Sequence, residues 1–100
     1  MTAYWIAHVT VTDPEIYKEY QKRAAPLFAQ FGGKLLARGG TCEVMEGPAL
    51  DRHVIIEFAS LQDAKACYSS TEYQDARQFR LQAAIAHITL VDGVEQISAS

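Results

Sequence analysis

Three stretches of the chain alternate between apolar and polar positions with the period of two that is typical of β-strands. They are residues 4–11, 52–58 and 87–91, and the first two are rich in β-branched and aromatic residues. Each stretch has an apolar face and a mixed face, as in an antiparallel sheet that covers a core with one side only. The three are therefore predicted to be strands of one sheet.

Residues 31–40, Phe-Gly-Gly-Lys-Leu-Leu-Ala-Arg-Gly-Gly, contain two glycine pairs. The first pair follows a helical pattern and is predicted to end it, because glycine takes a positive φ without steric cost. Residues 34–38 and 41–46 are predicted to be strand. The second pair lies between them and predicts either a bend or bulge, or a point where a ligand or another backbone comes close.

Apolar residues recur at steps of three and four residues over 16–31, 61–68 and 73–83, which predicts helices. Before the first helix, Thr-Asp-Pro-Glu at 12–15 offers two alternative N-caps. Either the threonine caps with the glutamate reaching back, or the aspartate caps with proline in the first helical position. Ser-Ser-Thr-Glu at 69–72 is predicted to end one helix and cap the next.

The order strand, helix, strand, strand, broken helix, strand predicts an α+β fold of the ferredoxin-like βαββαβ type. Right-handed crossovers place the first and third strands in the centre of a four-stranded antiparallel sheet, with the helices on one face. A single domain is expected over residues 1–95, followed by a flexible tail of residues 96–100.

Composition narrows the partners and the location of the protein. Hydrophobic residues make up 49% of the 100 residues, and the net charge of −3 comes with no basic run, which argues against nucleic acid as a partner. The apolar runs are too short for a membrane span, and no signal peptide is visible, so a cytoplasmic location is expected. Cys42 and Cys67 form no CxxC pair and are expected to be reduced thiols.

The sheet face without helices, called the open face below, is predicted to be half apolar and half ionisable. Its members are Tyr4, Ile6, His8, His53, Ile55, Glu57, His87 and Thr89. Such a face is too apolar to remain bare in water and too polar for a sealed core. The chain is therefore expected to form a homodimer in which two open faces pack together around a partly polar cavity.

Several short motifs together resemble one protein family. They are Tyr-Trp-Ile-Ala, Thr-Asp-Pro-Glu, Phe-Gly-Gly-Lys-Leu-Leu-Ala-Arg-Gly-Gly, Ile-Glu-Phe, Tyr-Ser-Ser-Thr-Glu-Tyr-Gln and Leu-Val-Asp-Gly. The chain is similar, over about residues 4–93, to the small bacterial family catalogued as domain of unknown function thirteen-thirty, within the dimeric α/β-barrel superfamily. The resemblance implies the fold and the dimer. Superfamily relatives include quinone-forming monooxygenases, muconolactone isomerases and haem-degrading enzymes, whose motifs do not match here residue by residue.

The candidate site residues are His8, Arg38, His53, Glu57 and His87. His8 and Glu57 are the candidate catalytic pair, because a carboxylate beside an imidazole can perform general acid/base work. Arg38, at the rim of the dimer cavity, could hold a substrate carboxylate or an enolate oxygen. Alternatively, these groups satisfy one another across a wet dimer interface.

Three classes of function stay open at this point. The first is a small-molecule protein with its cavity between sheet and helices or at the dimer interface, acting as an isomerase, lyase or monooxygenase without a cofactor. The second is a non-catalytic ligand-binding or stress-related dimer. The third and weakest is a metal or haem protein that uses the three histidines and Glu57, although no HxH or HExxH spacing supports it. Tyr73 and Arg80 share a helical face that either lines a cavity mouth or simply packs.

Overall fold

The computed structural model describes residues 2–94, so the predicted tail of residues 96–100 lies outside the described residues. Four strands and three helices follow one another in the predicted order. They are β1 Ala3–Val11, α1 Pro14–Gln30, β2 Lys34–Arg38, β3 Arg52–Phe58, α2 Leu61–Ser69, α3 Thr71–Ala83 and β4 Ala84–Asp92. No helix among the described residues is both long and apolar enough to cross a membrane.

The four strands form one antiparallel sheet in the order β2-β3-β1-β4. Trp5 of β1 lies opposite Ile56 of β3 and Leu90 of β4, and the helices cover the face to which these side chains belong. We call this the helix-side face. The prediction of a ferredoxin-like α+β fold with the first and third strands in the centre is confirmed.

Side-chain caps set the ends of the helices where the sequence predicts them. Asp13, not Thr12, caps α1: its Oδ1 accepts a hydrogen bond from the amide of Ile16 at 3.2 Å, with Pro14 in the first helical position. Ser70 separates α2 from α3, because its Oγ accepts from the amide of Tyr73 at 3.1 Å and donates to a carbonyl of the preceding helix.

Aromatic residues dominate the core between the sheet and the helices. Trp5 is 1% exposed, and its ring lies 5.0 Å from that of Phe28 and 5.1 Å from that of Tyr73, both in edge-on geometry. Tyr20 of α1 and Tyr73 of α3 join their hydroxyls at 2.8 Å inside this core. The buried hydroxyl pair links the two long helices above the sheet.

The prediction of strand over residues 41–46 is wrong. Gly39 has φ of +65° and donates its N–H to the carbonyl of His53 at 2.9 Å, and the chain then leaves the sheet. The segment up to Asp51 contains no helix or strand, and its apolar Met45 is 84% exposed. With few apolar side chains and no second strand to pair with, the segment has nothing that would offset the entropy of ordering it.

Candidate functional site

A cavity of about 130 Å³ lies between α1 and the helix-side face of the sheet. We call it the α1 cavity. Its walls are mainly aromatic, with Trp5 from β1 and Tyr17, Tyr20 and Phe28 from α1. Helical spacing places all three α1 residues towards the sheet, and small residues such as Ala24 leave the space between them open. A cavity of ~150 Å³ with apolar walls accommodates benzene in another protein, so this one suits a single ring.

Three arginines border the α1 cavity: Arg38, Arg52 and Arg80. Arg38 is exposed, Arg52 is half-buried, and Arg80 is only 5% exposed. The guanidinium carbon of Arg80 lies 5.6 Å from the ring centre of Tyr20, and that of Arg52 lies 5.9 Å from the ring centre of Tyr17. Aspartate, glutamate and histidine are absent from the described residues that line the cavity. The cavity therefore combines an apolar body with a net positive border.

A β-bulge brings Arg38 to this cavity. Leu35 lies opposite Ile56, but the register shifts before Ala37, so that Arg38 lies opposite Val54. One extra residue returns Arg38 to the same face as Leu35, whereas strict alternation would place the two on opposite faces. The expectation that Arg38 borders a cavity between two open faces is thereby corrected: it lines the α1 cavity on the other side of the sheet.

The second glycine pair makes room for another of the three arginines. A Cβ added to Gly39 would overlap the guanidinium of Arg52, so the arginine packs directly against the glycine backbone. The close approach at Gly39 is made by a side chain of the same chain, and not by the ligand or second backbone that the sequence offered as one alternative. Gly39 also has the positive φ that disfavours other residues.

The tyrosines at the cavity are neutral phenols at physiological pH. Burial raises the pKa of Tyr20 well above its usual value, although the charge of Arg80 partly opposes this. Burial likewise raises the pKa of Tyr17 and of Tyr73. Burial acts to lower the pKa of Arg80, but the facing tyrosine oxygens outweigh it, and the guanidinium keeps its charge. The cavity thus offers hydrogen-bond donors and a cation, but no general base of ordinary strength.

The open face holds the three histidines in a row across β3, β1 and β4. His8 Nδ1 lies 2.7 Å from His53 Nδ1, and His87 lies directly opposite His8 on β4. Glu57 is paired with Tyr4 instead, which places it four residues, roughly 13 Å, along the strand from His53. The structure therefore brings the histidines together but separates the predicted acid/base pair of His8 and Glu57.

The histidine row does not have the geometry of a metal centre. Two nitrogens bound tetrahedrally to one zinc at ~2.0–2.1 Å would lie about 3.3 Å apart, further than the Nδ1 atoms of His8 and His53. Within residues 2–94, no three His, Cys, Asp or Glu side chains are grouped so that they could hold a metal ion. The contact of the two imidazoles instead has the length of a direct hydrogen bond between two ring nitrogens.

Sequence comparison places the chain in a family whose activity is unknown. The family described as "Domain of unknown function (DUF1330)" matches residues 2–94. The chain belongs to this family. No match was found among curated proteins.

Solved structures share the fold of this DUF1330 chain at low sequence identity. A protein of unknown function from Rhodopseudomonas palustris is 20% identical with a TM-score of 0.76, over 95% of this chain and 84% of that one. SnoaB from Streptomyces nogalater, described as a cofactor-independent oxygenase, is 11% identical with a TM-score of 0.62, over 96% of each chain. A Bacteroides fragilis protein, described as dimeric and ferredoxin-like, is 12% identical with a TM-score of 0.62, over 92% and 96%. These likenesses establish the fold.

Sequence reasoning missed most of the residues that border the α1 cavity. Two signals were available in this DUF1330 chain. Arg52 falls on the apolar face of its strand, in phase with Val54 and Ile56. Arg80 falls on the inner stripe of α3, and of the two residues for which a cavity mouth was one alternative, Arg80 lines the α1 cavity and Tyr73 packs in the core. An arginine in phase with core positions is unusual, since arginine is seldom fully buried without a partner.

Proposed function

We propose that the protein binds a small, largely apolar organic molecule in the α1 cavity. The observation that carries the proposal is the cavity itself. This partly open cavity has a volume of about 130 Å³ and lies between α1 and the sheet, with Trp5 and Phe28 in its walls. Concave, mostly apolar sites with a few polar groups are the usual form of small-molecule sites.

Binding is better supported than general acid/base catalysis. The described lining of the α1 cavity contains no carboxylate or imidazole, and the histidines lie on the other side of the sheet. The predicted catalytic role of His8 and Glu57 would therefore need a second site at the open face. We propose the α1 cavity as the ligand site and the open face as a contact surface.

A second candidate is oxygenation of a bound phenol or enol without a cofactor. It is favoured by the shared fold of SnoaB, which is described as a cofactor-independent oxygenase, and by cationic groups that could stabilise an oxyanion. An oxygen electrode tests this candidate. Addition of 1,4-hydroquinones should cause oxygen uptake that requires the protein and that is lost in the Ala24→Leu variant, whose larger side chain fills the cavity. Ligand binding without uptake would leave the non-catalytic function.

We also propose that two copies associate through their open faces. The face exposes Ile85 and Val91 beside the histidine row, and the Bacteroides fragilis protein of the same fold is described as dimeric. The cytoplasmic location and the lack of nucleic-acid binding stay predictions.

The cavity proposal has a built-in probe, because Trp5 is the single tryptophan and lines the α1 cavity. We expect toluene or benzyl alcohol to change its fluorescence saturably and to raise the Tm. Ala24→Leu should abolish both effects, since Ala24 lines the cavity, whereas Ala29→Leu on the exposed side of α1 should not. Equal binding by the two variants would contradict the proposed site.

A further inference from the structure

Arg80 is a buried cation at the α1 cavity. It lies on the inner side of α3, is 5% exposed, and its Nε has no hydrogen-bond partner among the described residues. Arg80 is one of the residues that line the cavity, and its guanidinium carbon lies 5.6 Å from the ring centre of Tyr20, which also lines it. A buried guanidinium with an unused donor is costly unless an acceptor or an anion satisfies it.

The described part of the chain supplies no carboxylate for this charge. Its two ion pairs, Lys18–Glu15 and Arg23–Glu19, each join two residues of α1, and neither includes Arg80. The hydroxyls that face Arg80 belong to Tyr20 and Tyr73, which burial keeps protonated and which already bond each other at 2.8 Å. Arg80 therefore has hydroxyl partners in Tyr73 and Tyr20, but no carboxylate partner within residues 2–94.

Arg52 and Arg38 add to the same imbalance. Arg52 also has an Nε without a hydrogen-bond partner, and neither arginine forms an ion pair within the described residues. Among the described residues, the cavity lining thus has three arginines, aromatic walls and no acidic residue. An arginine fork fits the two oxygens of a carboxylate, and its strength increases where water is excluded.

We infer that the ligand of the α1 cavity is a small organic monocarboxylate, with a body of about one ring and its carboxylate on Arg80. This inference rests on the proposed function and names the chemical class of its ligand. The ring lies against Trp5 and Phe28, which line the cavity. Arg38, at the exposed end, attracts the anion without being desolvated.

A series of three probes of similar size tests the effect of the ligand's charge separately from the effect of the cavity. Benzoate, benzyl alcohol and benzylammonium share one ring and differ in charge at pH 7. Titrations followed by Trp5 fluorescence and by calorimetry should show benzoate binding at least about tenfold more tightly than benzyl alcohol, and no binding of benzylammonium.

Variants of Arg80 locate the carboxylate. Arg80→Met should weaken benzoate about 10- to 100-fold and leave benzyl alcohol within about twofold, because only the charged contact is removed. The affinity of Arg80→Lys for benzoate should fall between those of the wild type and Arg80→Met, since lysine keeps the charge but lacks the two-pronged guanidinium. The matched control is Arg77→Met: Arg77 is half-buried on the same helix, with an unpartnered Nε, but lies outside the cavity lining. It should leave all three probes unchanged.

The outcomes separate the two levels of proposal. If benzyl alcohol bound as tightly as benzoate, or if Arg80→Met weakened both equally, the carboxylate inference would be overturned while the cavity function stood. If none of the three probes bound, the cavity function would fall, and the inference with it. Should Arg80→Met not fold, Arg52→Gln and the wild-type preference for benzoate decide the question.

Discussion

The two faces of the sheet differ in both packing and charge. On the helix-side face, Trp5 and its aromatic neighbours are buried, and the polar groups that reach the cavity are arginines and neutral tyrosines. On the open face, apolar side chains alternate with histidines that contact each other, and His8 is exposed. One face therefore carries cations around an internal space, and the other carries titratable groups at a surface.

The difference shows how a single strand serves two sites. Arg52 and His53 are adjacent in sequence, yet Arg52 borders the α1 cavity and His53 bonds His8 on the opposite side. Because side chains alternate across a strand, these two neighbours in sequence face opposite sides of the sheet. Chemistry assigned to this protein must be assigned to one face.

The two faces should differ most in the loss of unfolding free energy when one β1 side chain is removed from each. Trp5→Ala should lower the free energy of unfolding by about 3–5 kcal/mol, since it leaves a hole among four aromatic rings. His8→Ala, three residues along on the open face, should cost less than about 1 kcal/mol. Urea denaturation followed by circular dichroism measures both. Equal losses would mean that the open face is also a packed core.

The proposed association through the open face should fail when a charge enters its centre. Ile55→Asp should raise the dissociation constant of the dimer at least about 100-fold, because two carboxylates would be desolvated near the two-fold axis. Leu81→Asp is the control, since Leu81 is an exposed residue of α3, on the helical side of the molecule. Sedimentation equilibrium measures the change. A dimer that resists Ile55→Asp but not Leu81→Asp would place the contact on the helices.

Substitution of Gly39, which contacts Arg52, should destabilise the protein more than substitution of the neighbouring Gly40. Gly39→Ala should cost about 1–2 kcal/mol, because alanine disfavours its φ of +65° and a Cβ would overlap the guanidinium. Gly40→Ala should stay within about 0.5 kcal/mol, since nothing lies within 4 Å of its Cβ position. Thermal unfolding compares the two. A cost at position 40 equal to that at position 39 would refute the Arg52 contact as the cause.

Local patterns in the sequence were sufficient for the fold. Asp13, Ser60 and Ser70 act as caps through contacts three residues away, so their roles follow from short motifs. The sorting of β1 into two faces likewise follows from alternation alone. These features depend on near neighbours in the chain: the cap at Ser-Ser-Thr-Glu was predicted, and Asp13 was one of the two alternatives for α1.

The candidate site was less accessible from sequence because it depends on register and volume. The pairing of Glu57 with Tyr4, and not with His8, is set by how two distant strands align. The side on which Arg38 lies is set by one bulge, which no residue type in Lys-Leu-Leu-Ala-Arg signals. The size of the α1 cavity depends on how α1 sits above the sheet, and that is a property of the packed molecule.

The smallest expected effect concerns alkaline pH and the helix-side face. Burial raises the pKa of the Cys67 thiol to about 11, from a usual value of 9.0. Between these two pH values the unfolded thiol loses its proton while the folded one keeps it, so stability should fall as pH rises from about 9 to 11. Cys67→Ala should make this decline shallower in urea titrations at several pH values.

The decline should not vanish, because the buried tyrosines Tyr17, Tyr20 and Tyr73 also have raised pKa values and act in the same direction. Cys42 is exposed, so Cys42→Ala should leave the slope unchanged, and an equal response from both cysteines would place the alkaline sensitivity outside the core.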